Sequence, residues 1–224
     1  MKDQKPDSFN GFVVETRMAT LHKIPALISN IEHGTEADAF EAAKQLAAIG
    51  ETDAIPDLRR ILRAGAEPHS REAAAYALAW LKNRGATLSL LECAADVQEQ
   101  DSVRGQAIEG LASHLCYARK GTALRAQAEE LMIHLLQSPS PTLRFWACFG
   151  LGTMRCERAI PDLQKLRKND QEICPGWWPL REEAEDALER IAGRPGEDRV
   201  PVHLRKSSSP PAGPGPDSGL AAPP

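Results

Sequence analysis

Ala54-Ile55-Pro56-Asp57-Leu58 recurs 105 residues later as Ala159-Ile160-Pro161-Asp162-Leu163, and a looser copy stands at Lys23-Ile24-Pro25-Ala26-Leu27. In each copy proline falls where a helix begins, a place at which its missing N–H is not needed and its fixed φ is already helical. A motif repeated in this way predicts an array of similar helical units.

Working outward from the motif, the second helix of each unit can be aligned on its last strong leucine: Leu46, Leu78, Leu111, Leu151 and Leu188, at steps of 32, 33, 40 and 37 residues. Four residues before it every unit has alanine: Ala42, Ala74, Ala107, Ala147 and Ala184. One before it stand Gln45, Ala77, Gly110, Gly150 and Ala187, and three after it Ile49, Leu81, His114, Met154 and Ile191. These positions share one helical face, and small residues on it let neighbouring helices approach closely. That face is the expected core.

Seven residues before the leucine come Arg71, Arg104, Arg144 and Arg181, with Ala39 in the first unit. The dipole of a helix disfavours a cation near its own N-terminus, so these arginines call for partners. The repeated Asp57 and Asp162 are the obvious candidates, the other reading being that the arginines are simply exposed.

The columns and the AIPDL openings resemble the short HEAT-like repeats of the phycobilisome-lyase type, over about residues 20–192. The resemblance implies an all-α fold, a right-handed α-α superhelix of the HEAT or armadillo kind with about five helical hairpins. It says little about activity, because such repeats serve scaffolds, adaptors and a few enzymes. The expected division is a partly flexible segment at 1–18, the solenoid at 19–192 and a Pro/Gly/Ser-rich tail at 193–224. The tail is too poor in apolar surface to offset the entropy of ordering it.

Composition narrows the function. The 224 residues are 42% hydrophobic and 26% charged, with a formal net charge of -4. A mildly acidic chain has no general affinity for nucleic acid. Arg59, Arg60 and Arg63, with Lys165, Arg167 and Lys168, are the nearest thing to a basic stripe, and as cations near the end of a first helix they are sufficiently explained by its dipole and by solvation of the convex surface. The start of the chain has neither a signal-peptide core nor a membrane span, and the expected location is the cytoplasm. Cys93, Cys116, Cys148, Cys156 and Cys174 are odd in number and show no C-x-x-C spacing, which argues against a disulfide framework or zinc site.

Catalytic motifs are missing too: no phosphate loop, no G-x-S-x-G, no H-E-x-x-H. The residues that follow the column arginines are Glu72, Gly105, Phe145 and Glu182, so the His-Glu pairs that hold iron on a similar enzyme scaffold, deoxyhypusine hydroxylase, are not matched. No cofactor, metal or small-molecule substrate is expected.

Six residues before, two before and two after the reference leucine, the second helices should point away from the core and line the concave side. Read across the units, these places hold Phe40-Lys44-Ala48, Glu72-Tyr76-Trp80, Gly105-Glu109-Ser113, Phe145-Phe149-Thr153 and Glu182-Asp186-Arg190, with Trp146 alongside. Aromatic and acidic groups alternate there, in a chain with only 5% aromatic residues. Exposed apolar groups ringed by charge mark interaction sites. A rotation of about 40° would instead bury the same aromatics in the seam between first and second helices.

A second candidate is the long loop through Cys174-Pro175-Gly176-Trp177-Trp178-Pro179, which is either a binding knob or a plug for the open end of the stack. The expected partner-binding residues are therefore Glu72, Tyr76, Trp80, Glu109, Phe145, Trp146, Phe149, Asp186, Trp177 and Trp178. The expected function is a non-catalytic protein-binding adaptor for a protein or peptide of basic character. The rivals are a lyase-like or nucleic-acid-directed enzyme and a dedicated inhibitor of one partner.

Overall fold

The computed structural model describes residues 21–195, 199–201 and 204. The expected N-terminal segment 1–18 and most of the expected tail lie outside them. Among the described residues ten α-helices form five antiparallel hairpins. They are α1 (Ile24–His33) with α2 (Glu36–Ile49), α3 (Ile55–Ala64) with α4 (Pro68–Trp80), and α5 (Arg84–Ala95) with α6 (Asp101–Leu115). The last two are α7 (Ala123–Leu135) with α8 (Pro141–Thr153) and α9 (Ile160–Asn169) with α10 (Leu180–Ile191).

Each AIPDL copy opens a first helix after a single 3-10 turn, Thr52–Ala54 before α3 and Glu157–Ala159 before α9, with proline in the first helical turn. Ile24-Pro25 opens α1 in the same position. The third hairpin, which lacks the motif, starts differently: the Asn83 side chain accepts from the Ala86 N–H, so α5 begins ahead of Thr87-Leu88-Ser89-Leu90-Leu91. Between the third and fourth units α6 runs on to Leu115, so the residues that lengthen the step from Leu111 to Leu151 loop out after the helix.

The hairpins stack in two layers. The second helices α2, α4, α6, α8 and α10 pack in series, while the first helices cover them from one side. Every column alanine is buried, as are Leu46, Leu78, Leu111 and Leu151. Leu188, in the last helix, is half-buried because no further unit covers it. His114, in the column three after the leucine, is satisfied inside the stack by Thr87 Oγ1 at 2.9 Å and the Ala79 carbonyl at 3.1 Å.

The column arginines do have partners, but not Asp57 and Asp162. Asp57 lies near Arg60 and Asp162 accepts from Lys165, each within its own helix. Arg71 instead reaches the Gly65 and Ala66 carbonyls at the end of α3, and Arg144 reaches the Ser138 and Pro139 carbonyls just past α7. Arg104 donates to the Ala94 carbonyl. The start of one helix in a hairpin lies beside the end of the other, so a cation unfavourable to its own helix satisfies the free carbonyls of its neighbour. Arg71 then forks onto Glu99, and Arg144 binds Asp170 and Glu172, acids in the hairpin loop of the following unit. Arg181 is exposed and holds Gln171.

Candidate functional site

The side chains projecting from the second helices away from the first-helix layer form an interrupted aromatic band. Phe40 and Tyr76 pack edge to face with centroids 6.4 Å apart, and Tyr76 lies 6.4 Å from Trp80. On the far side Trp146 packs against Phe149 at 5.6 Å, and Trp146 lies against Trp177 at 5.4 Å. The band is broken at the third unit, whose corresponding residues are Gly105, Glu109 and Ser113.

Gly105 is what brings Trp146 in: a Cβ there would lie 2.3 Å from the Trp146 ring, so only glycine admits the indole. Where α6 carries Glu109 and Ser113 the gap stays open as a groove of about 320 Å³. Its lining comes wholly from second helices and their C-terminal ends: Trp80 from α4, Glu109 and Ser113 from α6, Cys116 and Tyr117 just beyond it, and Phe149 and Thr153 from α8, with Lys82 and Ala79 completing it. Trp80 is 58% exposed and Tyr117 93% exposed. Glu109 accepts from Gln106 at 2.5 Å, and burial raises its carboxyl above the usual range against the lowering effect of that hydrogen bond. Burial likewise raises Glu72.

Tyr117 was not among the expected residues. It lies in the stretch that lengthens the third step of the alignment, from Leu111 to Leu151, which was the signal available. Arg125, 3% exposed in the first turn of α7, holds this stretch in place by donating to the Leu115 carbonyl at 3.2 Å, the Ala118 carbonyl at 2.6 Å and the Met154 carbonyl. Glu129, at 2.8 Å, balances its charge.

Two expected residues are not on the open face. Phe145 is 1% exposed, because the loop between α9 and α10 folds over it: Phe145, Cys174 and Leu180 form a small core of their own, with Trp178 and Trp146 packed against it. Asp186 is also 1% exposed, covered by Arg199, whose Nε and Nη2 donate to it at 2.6 and 2.9 Å while Nη1 reaches Glu182 at 3.2 Å. Contacts with the stack therefore continue past the expected boundary at Gly193.

The tryptophan loop is pinned by a bridge between Ile173 and Pro179 and by Trp178 Nε1, which donates to Glu183 at 3.0 Å. Glu183 is fully buried, and burial pushes its carboxyl up to about 7 although Arg190 stands 3.0 Å away. Trp177 keeps 36% of its surface exposed beside Trp146. Of the first-helix cations, Arg60 forks onto Glu32 at 2.5 and 2.8 Å, Arg59 donates to Ser89 at 2.8 Å and Lys165 to Asp162 at 2.9 Å.

All five cysteines are free thiols, and burial pushes Cys93 up to about 12 and Cys174 up to about 11. Among the described residues no three His, Cys, Asp or Glu side chains gather as a metal-ligand set. Among the same residues no helix is long and apolar enough to cross a membrane.

The chain resembles known solenoids. The complex of CpcE and CpcF of phycocyanin lyase from Nostoc sp. PCC7120 superposes with a TM-score of 0.61 at 21% identity, covering 75% of this chain and 99% of that one. A computationally designed armadillo repeat protein for modular peptide recognition gives a TM-score of 0.50 at 17% identity, covering 79% of this chain and 85% of that one. At such identities the likeness is one of fold. No curated protein matches the chain. The family model for HEAT repeats matches twice, over residues 24–112 and 98–189, and with three-quarters of its length so accounted for the chain belongs to the HEAT repeat family.

Proposed function

We propose that the protein is a non-catalytic binding module that grips another protein through the concave side of its stack. The observation that carries this reading is the groove over Glu109, where Trp80 and Tyr117 stand exposed beside Phe149 on a scaffold of packed helices. Large aromatic side chains held at fixed spacing lose little entropy when a partner docks, and such residues dominate interface energetics. The half-buried carboxyls of Glu72 and Glu109 favour a partner of basic character. The free thiols suit a reducing compartment, which supports a place in the cytoplasm.

The test is capture of partners from native lysate by the intact chain and by Trp80→Ala. Because Trp80 is mostly exposed, the variant should keep its melting temperature and weaken capture by about 2 kcal/mol, roughly thirtyfold. Equal capture by both proteins would reject the groove. The likeness to a phycocyanin lyase complex supports a second reading, a lyase component acting with another subunit. A purified chain that took up pigment and transferred it would favour that reading over the adaptor. A role as inhibitor of one partner is the adaptor reading with a single target.

A further inference from the structure

The molecule itself shows what a carboxylate on this surface holds. Asp186 stands two residues before the reference leucine of α10, the place that Glu109 has in α6. Into Asp186 and Glu182 comes the guanidinium of Arg199, from a non-helical stretch beyond the stack, making three hydrogen bonds of 2.6 to 3.2 Å. Arg199 is only 11% exposed in its side chain, so this is a seated arginine and not a surface ion pair. The neighbouring aromatic surface accepts the same group: Arg190 lies over the Phe149 ring at 5.2 Å.

At Glu109 the equivalent carboxylate is in place and walled by Trp80, Tyr117 and Phe149, but the group it binds is the Gln106 amide. Among the described residues no ion pair reaches it, Lys82 included. Burial has already removed much of its hydration, and a cation would reverse the resulting upward shift of its carboxyl.

We propose that this groove takes one arginine side chain from an extended segment of a partner, the guanidinium on Glu109 and its flat face against the aromatic walls. Arginine suits the place better than lysine: it is planar, weakly hydrated, able to fork onto a carboxylate and to stack on an aromatic ring at once. The proposal rests on the reading of this face as the partner-binding surface and adds the chemistry of the side chain that enters it.

The test uses the full chain and fluorescein-labelled nine-residue peptide pools of Gly, Ala and Ser with arginine, lysine, citrulline or norleucine fixed at the centre, read by fluorescence polarisation. The arginine pool should bind at least tenfold more tightly than the citrulline pool. Glu109→Gln should bring that ratio below two while leaving Tm in place, because a neutral isostere removes a buried charge. Glu41→Gln, the same charge change on the exposed surface of α2, should leave the ratio as it was. Citrulline or norleucine binding as tightly as arginine, or a ratio unchanged in Glu109→Gln, overturns the proposal. If norleucine matches arginine and Trp80→Ala abolishes both, the groove still binds peptides and only the arginine assignment falls. If no pool binds up to millimolar concentration, the assignment and the groove as a peptide site fall together.

Discussion

Trp80 and Phe145 illustrate how two aromatics assigned to one helical face can come to opposite ends. Trp80 is 58% exposed and should lose under about 1 kcal/mol as alanine, whereas Phe145, at 1%, should lose about 3–5 kcal/mol; chemical denaturation of the two variants checks the contrast. Phe149, half-buried against Trp146 and under Arg190, belongs between them. Glu183 gives a pH signature. Its carboxyl, ordinarily near 4.5, is raised to about 7 by burial, with Asp186 adding to the rise and Arg190 and Trp178 opposing it. Between those values the folded chain holds a proton that the unfolded chain releases. The contribution of Glu183 to stability is therefore full below about 4.5 and lost as pH rises through about 7. Glu183→Gln has no such dependence, so its stability relative to the parent should improve by about 1–3 kcal/mol between pH 5 and pH 8. A constant difference across that range would mean that the carboxyl stays ionised in the fold.

Hairpin ends are where the repeats are fastened together. Arg144 ties the carbonyls past α7 to Asp170 and Glu172 before α10, so Arg144→Ala should cost about 2–4 kcal/mol by leaving Asp170 without its cation. A double-mutant cycle with Asp170→Ala should show coupling of about 1–3 kcal/mol, and one with Asp162→Ala should be additive within about 0.5 kcal/mol. The reverse result would restore the pairing suggested by sequence. Alanine, glycine and leucine columns were legible because burial imposes a helical period that a single chain displays, and they located every second helix. The arginine column was legible as a demand for partners. Its answer was not, since the carbonyls at the end of a first helix and the acids of the next loop come near only through the hairpin turn, which no local spacing reports. Rotation about each second helix was legible to within a residue or two, enough to place Trp80, Glu109 and Phe149 on one groove. The same register put Phe145 and Asp186 on that face without revealing that a loop and Arg199 cover them.

Stacked repeats are stabilised by nearest neighbours, so the terminal unit depends most on what closes it. Here closure is double. The tryptophan loop lies over Phe145 on the side of the fourth unit, and the stretch bearing Arg199 returns across α10 to Asp186 and Glu182. From composition alone, removing everything after Ala192 should leave the melting temperature nearly unchanged. The seated Arg199 changes that expectation. A chain ending at Ala192 keeps both carboxylates and loses the Arg199 fork they share, and Asp186 is 1% exposed, so the loss is that of a cation held on a buried carboxylate. We expect the chain cut after Ala192 to be less stable by about 2–4 kcal/mol, seen as a fall in Tm of roughly 4–16 °C for a chain of this size. A chain cut after Leu204 retains the fork and should melt with the full-length protein, while Arg199→Ala in the full chain should reproduce most of the shorter truncation's loss. Equal melting temperatures for the Ala192 truncation and the parent would show that the fork contributes nothing and return the boundary of the folded unit to the end of α10.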